Sequence, residues 1–236
     1  SGVQQVLRQF YCYDESVFFD AGRPRKQEIV VVASAHNFIF KTFPNCNSLI
    51  SRMQEMFENG ELMTDEELDK LADAYDHRRE DILFYLWPYV VRNESVRWVC
   101  ELSSAQETDM DVVVYGREWE TDAIVNPFFR GPLPHGPAVA NAYNDALYAL
   151  VSQPNSLRSH RLMEVTACGA IPVVYDCRHR LEPFPWGESC LWYHTKADLQ
   201  ACLTRRPSAP PHLVAQGSSF VDFAKSIVAE VRTRQA

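Results

Sequence analysis

The chain has 236 residues, enough for one generous domain or two small ones, and its 46% hydrophobic content is that of an ordinary soluble globular protein. A formal net charge of −8 excludes a broad electrostatic footprint for DNA or RNA, but leaves room for a local basic site that takes a phosphorylated small molecule. No apolar run approaches the roughly 18–20 residues of a membrane helix, which excludes a spanning segment of that kind.

Ser1-Gly2 has the look of an expression scar, so the chain is expected to be a piece of a longer protein. The stretch from Val3 to Tyr11 is interrupted by Gln and Arg and does not read as a signal peptide. The seven cysteines are odd in number, scattered, and without a C-x-x-C pair. Reduced, mostly buried thiols, a cytoplasmic setting and no zinc site are the expectation.

Residues 4–19 read as an extended lead-in, a loop with two buried aromatics. Residues 28–33 (EIVVVA) are a β-branched run of the kind buried on both faces of a parallel sheet. The loop after it, Ser34-Ala35-His36-Asn37, lies where doubly wound domains approach phosphates, although it has no glycine. His36 reads as a loop residue more readily than as a base.

Residues 45–104 are helical in pattern. One helix spans 47–59 and ends at Gly60. A second opens at Thr64, with Glu67 in position to complete a capping box. Apolar residues recur at helical spacing from Leu68 to Leu86, Pro88 is expected to break or kink the run, and residues 90–102 suit a further helix. A crossover between parallel strands needs only a dozen or more residues, so this region is a helical insertion. Its mixed-charge stretch, His77 to Asp81, suits a solvated face or a partner contact.

Residues 111–115 (DVVVY) form the next strand, closed by Gly116, which lets the backbone turn at the strand's carboxyl end. Trp119 suits stacking on a base or capping of the core. Residues 126–137 are rich in Pro and Gly and form a loop. A helix over 138–146 and a strand over 147–151 follow.

Residues 154–176 (PNSLRSHRLMEVTACGAIPVVYD) hold the densest pattern. Ser156 is placed to cap a helix over 157–168, Gly169 suits its left-handed end, and residues 171–175 are an apolar strand. Arg161 and Glu164 stand three apart on one helical face. Such a pair can grip a phosphate and a ribose diol, or form a solvated ion pair of about 0.2–0.5 kcal/mol. Arg158 and His160 add possible phosphate charge, and the free N–H groups near Asn155 and Ser156 suit a phosphate or sugar hydroxyl. A strand over 189–193, a helix capped by Thr195 and a terminal helix within 213–235 close the chain.

The stretch Arg161-Leu-Met-Glu164-Val-Thr-Ala-Cys168-Gly169-Ala170-Ile-Pro-Val-Val resembles the core motif of GT-B glycosyltransferases, in particular the CgeB-like branch of the group 1 transferases. Tyr115-Gly116-Arg117-Glu118-Trp119 resembles the Tyr-Gly-x-x-Trp signature of that branch. Asp14 to Phe18 is similar to the segment that enters its second Rossmann domain, with Glu15 in place of a Pro. Many group 1 transferases carry a further Glu eight residues before the ribose-binding one, where this chain has Ser156. Exostosin-like transferases share a similar Arg/Glu stretch before an Ile-Pro-Val strand and are the nearest rival family.

The resemblance implies an α/β fold over residues 1–236: one Rossmann-like, mostly parallel sheet of about five or six strands flanked by helices, with an insertion at about 45–104. It implies the donor-binding half of a GT-B enzyme, with an N-terminal GT-B domain outside this chain. Transfer would run from a nucleotide-diphosphate sugar to a glycan, protein or other hydroxyl acceptor, with no metal or cofactor. Glu164 would hold the ribose and Arg161 would orient the donor. Gly116 and Trp119 would line the nucleotide side, with Asn155, Ser156 and Arg158 near the phosphates. The general base is left unnamed. A non-catalytic nucleotide-sugar-binding module and a GT-B-fold nucleotide-sugar epimerase are the alternatives.

Overall fold

The apolar runs assemble into a five-stranded, all-parallel sheet in a computed structural model that describes residues 12–155, 159–180 and 186–235. Its strands are β1 (Lys26–Val32), β2 (Asp111–Tyr115), β3 (Ala146–Val151), β4 (Ile171–Tyr175) and β5 (Leu191–Tyr193), in the order β2-β1-β3-β4-β5. The fold is the expected α/β, Rossmann-like one. Burial explains the composition of the strands: Ile29, Val30 and Val31 of β1 and every residue of β4 are shielded. Pro172 is tolerated in β4 because β5 begins to pair only at Val173, so one side of the strand is unpaired at the proline.

The chain steps outward from β1 to β2, then returns past β1 to lay down β3. Strand order therefore reverses between β1 and β3. Such a reversal opens a crevice at the carboxyl ends of the strands, and ligands bind there.

The stretch between β1 and β2 carries α1 (Ile39–Thr42), α2 (Asn47–Glu58), α3 (Asp65–Tyr75), α4 (Arg79–Asp81) and α5 (Trp87–Ser104). It forms a layer over one face of the sheet. Phe57 of α2 stacks on Trp98 of α5 at 4.3 Å and faces Tyr175 of β4 at 5.7 Å, while Ser95 of α5 accepts from the Tyr193 hydroxyl of β5 at 2.8 Å. The insertion thus reaches from β1 across to β5. α6 (Pro137–Asp145) and α7 (His160–Ala167) pack on β3, α6 also on β1 and α7 on β4, whereas α8 (Lys196–Cys202) joins α5. α9 (Phe220–Gln235) ends the described chain.

Several local expectations change. Of the break or kink expected at Pro88, the break does not occur. Instead a π-helical segment, Ile82–Leu86, joins α4 to α5, and the Trp87 N–H reaches back five residues to the Ile82 carbonyl. Proline has no N–H to offer, so widening the turn just before it lets the helix continue. Ser159, not Ser156, caps α7, accepting from the Leu162 N–H at 3.2 Å; Ser156 lies outside the described residues. In the described part of the lead-in, Phe18 is buried and Phe19 is 52% exposed. Thr64 does cap α3, yet the Glu67 carboxylate turns to Lys70 at 2.7 Å. The reciprocal box forms at Thr195 and Asp198.

Candidate active site at the β1–β3 crevice

Glu164 is the buried acid of the crevice. α7 starts at Ser159, which sets its inner face against β3 and β4 and leaves the Glu164 side chain only 5% exposed. One carboxylate oxygen accepts from His135 Nε2 at 2.8 Å, the other from Arg161 at 3.2 Å. The Arg161 guanidinium also donates to the Tyr143 hydroxyl at 2.9 Å. Tyr143 is fully buried, and its burial raises the phenol pKa, so it stays a neutral partner. A carboxylate has about four lone-pair sites. With two taken by His135 and Arg161, two remain for a ligand's hydroxyls.

A second guanidinium arrives from the insertion. Arg92 of α5 donates to His36 Nδ1 at 2.7 Å. Burial, followed by repulsion from Arg161, lowers the Arg92 pKa to about 10, which still leaves it charged at neutral pH. Burial, followed by the Arg92 charge, pulls His36 down to about 4. His36 is therefore neutral at pH 7, and because Nδ1 accepts from Arg92 its proton sits on Nε2. It offers a donor to the crevice, not a base. The backbone at His36 is left-handed, with φ of 58°.

These groups border two adjoining cavities. One, of about 840 Å³, is lined by Phe18, Glu164, Phe38, Phe84, Tyr85 and Tyr89 among others. The other, of about 330 Å³, reaches Ser34, Gly116 and Ser152 at the strand ends. Arg92, Arg161, His36 and His135 border both. Two cations and a neutral N–H donor at one junction suit a dianionic group.

The residues singled out in the sequence divide. Arg161 and Glu164 come together as expected. Gly116 borders the smaller cavity, and its φ of 153° brings the backbone so close to Ala33 that a Cβ would overlap the Ala33 carbonyl. Trp119 takes the core role: it is 1% exposed, donates from Nε1 to the Ala33 carbonyl at 2.7 Å, and borders neither cavity. Asn155 borders the larger cavity, but its amide N–H is committed to the Leu83 carbonyl at 2.5 Å. That carbonyl lies five residues before Pro88, where the π register leaves it without a backbone donor. His160 Nδ1 meets the Cys12 carbonyl at 2.9 Å. Ser156 and Arg158 lie outside the described residues.

Arg92 and His135 were not among the residues singled out. A signal for Arg92 existed: unlike Arg97 of the same helix, it has no acid three or four residues away, and its neighbours Val90, Val91 and Val96 are core residues. His135 sits in the Pro/Gly-rich loop, where local sequence carries no direction.

The family model for glycosyl transferase-like domains matches residues 92–223, more than half of the chain, and that span takes in Arg92, His135, Tyr143, Arg161 and Glu164. No curated protein matches the chain. On the family match, together with the parallel sheet and its switch-point crevice, the chain belongs to the glycosyl transferase-like family.

Proposed function

We propose that the chain is the donor-binding domain of a GT-B glycosyltransferase of CgeB-like type, transferring a sugar from a nucleoside diphosphate sugar to an acceptor hydroxyl. The observation that carries this reading is the row His135–Glu164–Arg161–Arg92. A buried carboxylate with two unused acceptor sites stands next to two guanidiniums that share one junction. The carboxylate suits the vicinal hydroxyls of a ribose, and the guanidiniums suit the diphosphate next to it.

Departure of a nucleoside diphosphate leaves negative charge on its oxygens. Arg92 and Arg161, fixed in place by His36 and by Tyr143 with Glu164, stabilise that charge without reorganising, and the His36 Nε2–H adds a neutral donor. In this reading the guanidiniums supply the positive charge that a metal supplies in other transferases.

The test is calorimetric titration with UDP, GDP, ADP, CDP and dTDP, repeated with Glu164→Ala and Arg92→Ala. Saturable binding of one or more nucleotides is expected. Each substitution should weaken it by about 1.5–3 kcal/mol, the worth of a charge-assisted hydrogen bond. Binding that ignores both substitutions would remove the site assignment.

A further inference from the structure

We infer that Glu118 is a positioning residue: it clamps the tip of the loop that leaves β1 and thereby holds His36 against Arg92, where both serve the diphosphate. The inference rests on the donor reading above and adds to it a residue that borders neither cavity.

β1 and β2 are paired up to Val32 and Tyr115, and the two chains go on pairing past the strand ends. The Ala33 N–H donates to the Tyr115 carbonyl at 2.9 Å and the Ala35 N–H to the Arg117 carbonyl at 3.0 Å. The Arg117 N–H donates to Ser34 Oγ at 3.2 Å. His36, left-handed with φ of 58°, ends the extended run. The next N–H, that of Asn37, meets a side chain and not a carbonyl: Glu118 Oε2 accepts it at 2.6 Å. In return the Asn37 amide Nδ2 donates to the Glu118 carbonyl at 3.2 Å.

Backbone strain marks the same two loops. Among the described residues, the non-glycine positions with left-handed backbone are His36, Asp76, Gln106 and Glu118. Asp76 and Gln106 stand at the ends of α3 and α5, where that conformation is an ordinary way to stop a helix. His36 and Glu118 end no helix. A Cβ makes the left-handed region unfavourable, so such residues persist where their surroundings hold them. The paired bonds between Asn37 and Glu118 are that hold: one fixes the residue after His36, and the other fixes Glu118 itself.

The stretch from Gly116 to Trp119 thus divides between the root and the tip of the loop. Gly116 and Trp119 meet it at Ala33, its root, one by close approach and the other through Nε1. Glu118 meets it at Asn37, beside His36. Contacts at the root bear on stability, and the contact at the tip bears on where the imidazole points. Among the described residues, His36 is the only hydrogen-bond partner of Arg92, so a tip that slips releases the guanidinium together with the ring. Arg92 and Glu118 are the charged groups that act on His36, with Arg161, Glu164 and His135 bordering the same larger cavity.

The test is an NMR titration of the His36 ring in the wild type, Glu118→Ala and Glu118→Gln. Thermal melting and calorimetric titration with UDP, GDP, ADP, CDP and dTDP run alongside. Burial and then Arg92 lower the His36 pKa to about 4, whereas the Glu118 charge pushes it up. Loss of that charge alone would therefore lower it further, and release of the ring would raise it toward 6.5. Glu118→Ala is expected to raise it and to weaken nucleotide binding about tenfold, with melting unchanged because the side chain is exposed. Glu118→Gln, whose amide oxygen still accepts from the Asn37 N–H, is expected to keep wild-type affinity and to leave the His36 pKa at or below its wild-type value. A His36 pKa that falls in Glu118→Ala, affinity lost equally in Glu118→Gln, or wild-type affinity in Glu118→Ala each overturn the inference. A raised His36 pKa in a protein that takes no nucleoside diphosphate overturns the donor reading, and with it the service to the diphosphate, while sparing the clamp on His36.

Discussion

Arg92 donates to Nδ1 of His36 across 2.7 Å, and this bond ties the helical layer between β1 and β2 to the loop that leaves β1. It also fixes the charge of both partners. His36 is neutral in the fold, with its pKa lowered to about 4 from 6.5 by burial and then by the arginine. Between those two values the unfolded chain binds the proton that the folded one refuses, so stability rises with pH across that window and is lost as pH falls toward 4. His36→Gln is expected to flatten the pH dependence of the urea midpoint between those two pH values. In Arg92→Ala, NMR titration of His36 should show its pKa moving back up.

Gly116 is irreplaceable on steric grounds. Its added Cβ would overlap the Ala33 carbonyl, which belongs to rigid backbone at the end of β1. Gly116→Ala should destabilise by about 1–3 kcal/mol, the usual range for overpacking. Gly187→Ala is the control, because its Cβ would meet only Arg178 at 3.8 Å. Urea unfolding of the two variants checks the contrast.

Trp119 separates a core role from a ligand role. Trp119→Phe keeps an aromatic side chain but removes the N–H and strands the Ala33 carbonyl, costing about 1–3 kcal/mol of stability from the lost bond alone. Because Trp119 borders neither cavity, nucleotide affinity should stay within about twofold of wild type. A large loss of affinity with unchanged stability would reverse this assignment.

Tyr143 acts through Arg161. Tyr143→Phe removes the hydroxyl that receives the guanidinium, leaving Glu164 as its remaining described partner. Nucleotide affinity should fall by about 1 kcal/mol, the net worth of one hydrogen bond. Calorimetry on the variant measures it.

What could be read from the sequence was what local pattern determines. The strands were legible because burial on both faces demands continuous β-branched runs, as in Ile29 to Val32 and Ile171 to Tyr175. Arg161 and Glu164 were legible because both sit on one helix, where a spacing of three fixes their proximity. Arg92 was not, because its role exists only once α5 has packed over the sheet and met the loop after β1. At Pro88 the local rule says break or kink, and the break is avoided because a widened turn, with Asn155 taking up the freed Leu83 carbonyl, lets the helix continue. The capping serine was misplaced by three residues, since Ser156 and Ser159 are equal as local signals and only packing of α7 chooses between them.

Whether Glu164 holds a ribose is decided by comparing ribo- and 2′-deoxyribonucleoside diphosphates of whichever base binds. With Glu164 in place, the ribo form should bind about tenfold more tightly, the difference made by one charge-assisted hydrogen bond. In Glu164→Ala the two should bind alike. Discrimination that survives the substitution would take the ribose away from Glu164 and move the sugar-reading group elsewhere in the crevice.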